Sequence, residues 1–71
     1  MTGGNIVDGN KIRESRENAG LTLEELADKV GLSLGYVSFI ERGLKIPSAP
    51  ALKNIADALG VDVGDFYKSL A

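Results

Sequence analysis

The chain has 71 residues, 44% of them apolar, and a net charge of −2. This length limits it to one domain with a small core. The sequence holds neither cysteine nor histidine, which excludes disulfides, thiolate metal sites and imidazole chemistry. No apolar run approaches a membrane span, and the N-terminus lacks the features of a signal peptide. We therefore expect a cytoplasmic protein with no metal or other cofactor and no membrane association.

The N-terminal part predicts an arm followed by a helix. Residues 1–7 include two glycines and are expected to form a flexible arm, so the domain is assigned to residues 8–71. Asp8 is a suitable N-cap for a first helix over about residues 9–19, with Ile12 facing inward.

Residues 22–43 predict two short helices joined by a tight turn. Thr22 and Glu25 form a capping-box pattern at the start of a helix over about residues 22–30. The helix has an apolar stripe at helical spacing, made by Leu23, Leu26, Ala27 and Val30. Gly31 suits the left-handed conformation in which many helices end.

Ser33 is a suitable N-cap for the next helix, over about residues 33–42, in which Val37 and Ile40 share one face. A turn of only three residues joins the two helices, so they cannot lie antiparallel and must cross steeply. This is the geometry of a helix-turn-helix.

The remaining sequence predicts two more helices. Ser48 caps a fourth helix, and Pro50 is tolerated in its first turn. Its apolar stripe consists of Leu52, Ile55, Ala56 and Leu59. Asp62 is expected to cap a short fifth helix, whose apolar side is Val63, Phe66, Tyr67 and Leu70. The prediction is a compact five-helix, all-α domain.

The sequence resembles the Cro and phage-repressor type of helix-turn-helix, the Xre-like family. The resemblance covers about residues 9–67, and its most specific segments are Gly20-Leu21-Thr22, Val30-Gly31-Leu32-Ser33, Ile40-Glu41-Arg42-Gly43, Pro47-Ser48 and Ala58-Leu59-Gly60-Val61. It implies the lambda-repressor-like fold and a sequence-specific DNA-binding transcriptional regulator that acts as a repressor, usually as a homodimer on double-stranded DNA.

The resemblance also implies roles for particular residues. The helix beginning at Ser33 would be the recognition helix in the major groove. Its base-reading candidates are Ser33, Leu34, Gly35, Tyr36, Ser38 and Phe39. Candidates for phosphate contact are Lys11, Arg13, Thr22, Leu23, Arg42 and Lys45. Three of the base-reading candidates cannot form side-chain hydrogen bonds, although Leu34 and Phe39 could contact thymine methyl groups.

Other residues are expected to be structural. The family pairs the positions of Arg16 and Glu41 in a salt bridge between the first and third helices. Phe66, Tyr67 and Leu70 are candidates for a dimer surface, with the alternative that Phe66 is a core residue.

The acidic net charge leaves a second function open, because DNA-binding domains are usually basic. The same fold could be a protein-interaction module, such as an antitoxin-like or anti-repressor partner. Acidic side chains around Leu34 and Phe39 would favour a protein partner, whereas Arg13, Arg42 and Lys45 around them would favour DNA. An enzyme is disfavoured, because no nucleophile and base pair is evident.

Overall fold

The structure, a computed structural model, describes residues 6–68. It contains four α-helices, α1 (Gly9–Asn18), α2 (Leu23–Val30), α3 (Leu34–Glu41) and α4 (Ala49–Leu59), followed by a 3-10 helix at Val63–Phe66. Within residues 6–68 the β-type pairing is limited to an isolated antiparallel bridge, and no helix there has the length and hydrophobicity to cross a bilayer. The fold is all-α.

The helices begin and end at the residues that the capping patterns indicate. The Thr22 Oγ1 atom accepts from the N–H of Glu25 at 3.1 Å, and the Glu25 carboxylate accepts from the N–H of Thr22 at 2.8 Å. Ser33 and Ser48 cap α3 and α4 through their hydroxyl oxygens. Gly31 follows α2 with φ of 70°, a conformation that costs glycine no steric strain. Each helix is therefore delimited by local chemistry.

A single core lies between the helices. Its fully buried large side chains come from every element: Ile12, Leu26, Val37, Ile40, Ile55 and Phe66. α2 packs against both α3 and α4, and α1 packs against α3. α3 is therefore supported from behind by its neighbours, which leaves its outer face to solvent.

The C-terminal part differs from the expected fifth helix. The segment Val63–Phe66 is a 3-10 helix of four residues, and Asp62 makes no side-chain capping hydrogen bond. Such a short turn suffices to bring Phe66 into the core, where its side chain is fully buried. The expectation that Phe66 could form a dimer surface is therefore wrong.

The N-terminal boundary also differs from the expectation. Val7, assigned to the flexible arm, is buried and forms an antiparallel bridge with Tyr67. The N–H of Asp8 donates to the carbonyl oxygen of Phe66 at 2.7 Å, and that of Lys68 donates to the carbonyl oxygen of Ile6 at 2.8 Å. Val7 is therefore part of the packed domain. The rest of the predicted arm, residues 1–5, lies outside the described residues.

A buried ion pair connects α1 to the end of α3. The Arg16 guanidinium donates to both carboxylate oxygens of Glu41, at 2.7 and 3.0 Å, and to the carbonyl oxygen of Leu21 at 2.9 Å. Glu41 is only 7% exposed. Hydrogen bonding to Glu41 raises the pKa of Arg16 above its ordinary value. The pair fixes the C-terminal end of α3 relative to α1.

Candidate nucleic-acid interface

The outer face of α3 is exposed on the second helix of the helix-turn-helix. Val37 and Ile40 turn inward and are fully buried. On the opposite side Leu34 and Phe39 are 44% and 43% exposed, with the exposed Gly35 between them. Ser38 on the same helix is half-buried. The face is thus presented outward and is largely apolar.

Two of the predicted base-reading residues have hydroxyl groups that already take part in the fold. The Ser33 oxygen accepts from the N–H of Tyr36 at 3.1 Å. The Tyr36 ring is half-buried against the core, and its hydroxyl oxygen accepts from the N–H of Ser48 at 3.3 Å. Tyr36 therefore also connects α3 to the start of α4.

Cations lie over the two aromatic rings of α3. The Arg42 guanidinium is 5.6 Å from the centroid of the Phe39 ring, and the Lys45 Nζ atom is 6.0 Å from the centroid of the Tyr36 ring. Both separations are within the range of cation–π attraction. The exposed Phe39 ring therefore has a positively charged neighbour, the arrangement associated above with DNA.

A polar cleft of about 460 Å³ opens beside the C-terminal end of α3. Arg13, Arg42 and Lys68 line it, together with Asp8 and Asn10 at the start of α1. The Asp8 carboxylate accepts from the N–H of Asn10 at 3.0 Å. Lys68 was not among the sequence-based candidates. The Arg42 side chain lines this cleft and also lies over the Phe39 ring.

The start of α2, where Thr22 and Leu23 are phosphate candidates, carries acidic side chains in its first turn. Its capping box uses the N–H groups of Thr22 and Glu25, two of the donors with which a helix N-terminus binds anions. The exposed carboxylates of Glu24 and Glu25 lie in this first turn. Leu23, also a phosphate candidate, packs against the core.

Two other candidates, Lys11 for phosphate contact and Tyr67 for the dimer surface, are only partly free for these roles. The Lys11 Nζ atom donates to the carbonyl oxygen of Tyr67 at 3.0 Å, which connects α1 to the C-terminal segment. Of the dimer candidates, Tyr67 is 40% exposed, and Leu70 lies outside the described residues.

The loop after α3 has two exposed apolar residues that the sequence analysis did not select, Leu44 and Ile46.

Comparisons with known proteins agree with this geometry. The sequence profile of the helix-turn-helix family matches residues 12–66. The transcriptional regulator ClgR of Mycobacterium tuberculosis is 47% identical over 53 residues, which cover 75% of this chain and 47% of ClgR. The chain spans less than half the length of the mycobacterial regulators it matches.

Solved structures of SinR, a regulator of Bacillus subtilis, have the same fold. SinR in complex with DNA superposes with a TM-score of 0.75 at 38% identity, covering 79% of this chain and 90% of SinR in that structure. SinR in the complex with SinI superposes with a TM-score of 0.78 at 37% identity, covering 82% and 57%. The chain therefore belongs to the Cro/Xre-type helix-turn-helix family.

Proposed function

We propose that this chain is a sequence-specific DNA-binding domain of a repressor-like transcriptional regulator. The observation that carries the proposal is the outward face of α3, on which Phe39 and Tyr36 lie beside the cations Arg42 and Lys45. A face with this position and charge fits the major groove, which admits an α-helix between two rows of phosphates. That SinR, a relative, has been solved with DNA supports the same role here.

The residues of this interface form two groups, those that would read bases and those that would contact phosphates, here called anchors. Phosphates on either side of the groove would be contacted by Arg42, Lys45 and Arg13. Base edges would be faced by the candidates of α3 other than the buried Val37, namely Ser33, Leu34, Gly35, Tyr36, Ser38 and Phe39. Lys68 would join Arg13 and Arg42, because all three line the same cleft. The acidic first turn of α2 makes Thr22 and Leu23 weaker anchors than the family resemblance implies. This role involves no catalytic residue.

We propose that the domain binds as a homodimer to two half-sites. Repressors of this type match a two-fold operator with a two-fold protein, and the half-sites then lie one helical turn or a multiple apart. Of the described dimer candidates, Tyr67 is exposed and could contribute to the contact. A regulator of this kind would act in the cytoplasm of a bacterial cell, where its DNA is found.

The direct test is selection of duplexes from a random pool, followed by fluorescence anisotropy titration across salt concentrations. We expect a selected duplex to bind more tightly than a random one, with affinity falling steeply as salt rises. Two-site duplexes should bind two chains. An absence of binding to any duplex at low salt would overturn the proposal.

A second candidate function is a protein-interaction module, favoured by the loop after α3. Leu44 and Ile46 are 64% and 61% exposed there, and exposed apolar side chains that lie close together are typical of protein contacts. SinR, a relative, has been solved with the SinI protein. A Leu44→Ser/Ile46→Ser variant that lost a partner but retained DNA affinity would assign the loop to protein binding.

A further inference from the structure

The groove-facing surface of α3 has few groups with which to form hydrogen bonds to bases. Leu34, Gly35 and Phe39 have no side-chain donor or acceptor and are exposed. The Ser33 and Tyr36 hydroxyl oxygens each accept a backbone N–H, which holds them within the fold and leaves each only its hydroxyl hydrogen to donate. Ser38 is half-buried. If α3 enters the groove as proposed above, on which this inference rests, the exposed Leu34 and Phe39 side chains make apolar contacts there.

The positions of Leu34 and Phe39 suit two separate apolar contacts. They are five positions apart in α3, which places them about 7.5 Å apart along the helix axis and roughly 140° apart around it. They therefore occupy the two edges of the exposed face, and Gly35 lies between them. Because Gly35 has no side chain, the backbone of α3 can approach the base edges closely, which brings both flanking side chains to the floor of the groove.

Among the base edges of the major groove, only thymine presents an apolar group, its C5-methyl. Guanine, adenine and cytosine present donors and acceptors there, and covering these with Leu34 or Phe39 would remove water without replacing its hydrogen bonds. We infer that Leu34 and Phe39 recognise C5-methyl groups of thymine, so the preferred half-site contains a thymine opposite each side chain.

Deoxyuridine tests this inference, because it pairs like thymine and lacks only the methyl group. In a duplex obtained by selection, each thymine of one half-site is replaced singly by deoxyuridine, and Kd is measured at constant salt. At the contacted thymines we expect affinity to fall about fourfold, the value of one buried methyl-sized group. At other thymines the affinity should stay unchanged.

Variants then assign each methyl group to a side chain. In Phe39→Ala, the deoxyuridine effect should disappear at one thymine and persist at the other, and in Leu34→Ala the pattern should be reversed. Asn54→Ala, an exposed position on α4, is the matched control and should retain both effects. Circular dichroism verifies that the variants fold. If a variant fails to fold, the deoxyuridine replacements measured with the wild-type chain still decide whether thymine methyl groups are recognised.

The outcomes separate this inference from the proposed function. A wild-type chain that binds the selected duplex and is indifferent to deoxyuridine at every position would overturn the inference and leave DNA binding intact. A selected half-site without thymine would do the same. If no duplex binds even at low salt, the proposed function fails and the inference fails with it.

Discussion

Gly9 is the residue on which the close approach of α1 to α3 depends. It is buried at the start of α1, against the carbonyl oxygens of Ile40 and Glu41. A Cβ atom at this position would collide with both oxygens, which belong to the backbone and cannot rotate away. Because well-packed interiors cannot accommodate an additional methyl group without displacement, we expect Gly9→Ala to lower the free energy of unfolding by about 1–3 kcal/mol. Urea denaturation measures this change.

Gly35 offers the matched control for Gly9. It also lies near the start of a helix, but a Cβ there would meet nothing within 4 Å. Gly35→Ala should therefore raise stability by about 0.5–1 kcal/mol, because alanine has less backbone freedom to lose on folding. If the two substitutions had equal effects, steric contact at Gly9 could not be the cause.

At the scale of elements, the Arg16–Glu41 pair sets the position of α3 relative to α1. Their side chains are 12% and 5% exposed, so the loss of one partner leaves a largely desolvated charge behind. We expect Glu41→Gln to lower the free energy of unfolding by about 2–3 kcal/mol. Asp57→Asn is the control, because the exposed Lys53–Asp57 pair on α4 should contribute at most about 0.5 kcal/mol.

The pH dependence of this pair follows from the raised pKa of Arg16. A cation whose pKa is higher in the folded chain than in the unfolded chain stabilises the fold at every pH below the unfolded pKa. The stabilisation is lost only as the pH rises from the unfolded pKa through the folded pKa. For arginine that loss lies beyond the usual alkaline range. The difference between wild type and Glu41→Gln should thus be constant from neutral pH to about pH 10, and a decrease within this interval would contradict the assignment.

The elements themselves could largely be predicted from local sequence, because their ends depend on neighbouring residues. Thr22, Ser33 and Ser48 cap the helices that their positions indicate. Contacts between distant residues could not be predicted in this way. The burial of Val7 depends on a bridge to Tyr67, which is 60 positions away. The spacing of apolar residues along a helix does not indicate such a pairing.

The candidate site could be predicted only in part, for the same reason. The exposed positions of α3 follow from helical spacing relative to Val37 and Ile40. The cleft formed by Arg13, Arg42 and Lys68 requires α1, the end of α3 and the C-terminal segment to converge. No sequence motif near Lys68 indicates that it lies beside Arg13 and Arg42. Only the three-dimensional arrangement makes Lys68 a candidate for phosphate contact.

The distribution of charge over the whole molecule reconciles its net charge of −2 with DNA binding. Acidic side chains occupy the first turn of α2, whereas cations lie over the α3 rings and in the cleft next to them. Within the described residues, neither Arg13 nor Lys68 is in an ion pair. Such cations can neutralise phosphates without first breaking internal contacts.

We therefore expect Arg13→Ala and Lys68→Ala each to weaken DNA binding about equally for specific and random duplexes and to reduce the salt slope by about one. A contact to phosphate releases roughly one counterion and reads no base, so neither variant should change the selected sequence. Lys53→Ala is the control, because Lys53 lies on α4 and pairs with Asp57. Salt titrations measure all three slopes. If both Arg13→Ala and Lys68→Ala had the same slope as wild type, neither side chain would contact the DNA backbone, and of the three cleft cations only Arg42 would remain as an anchor.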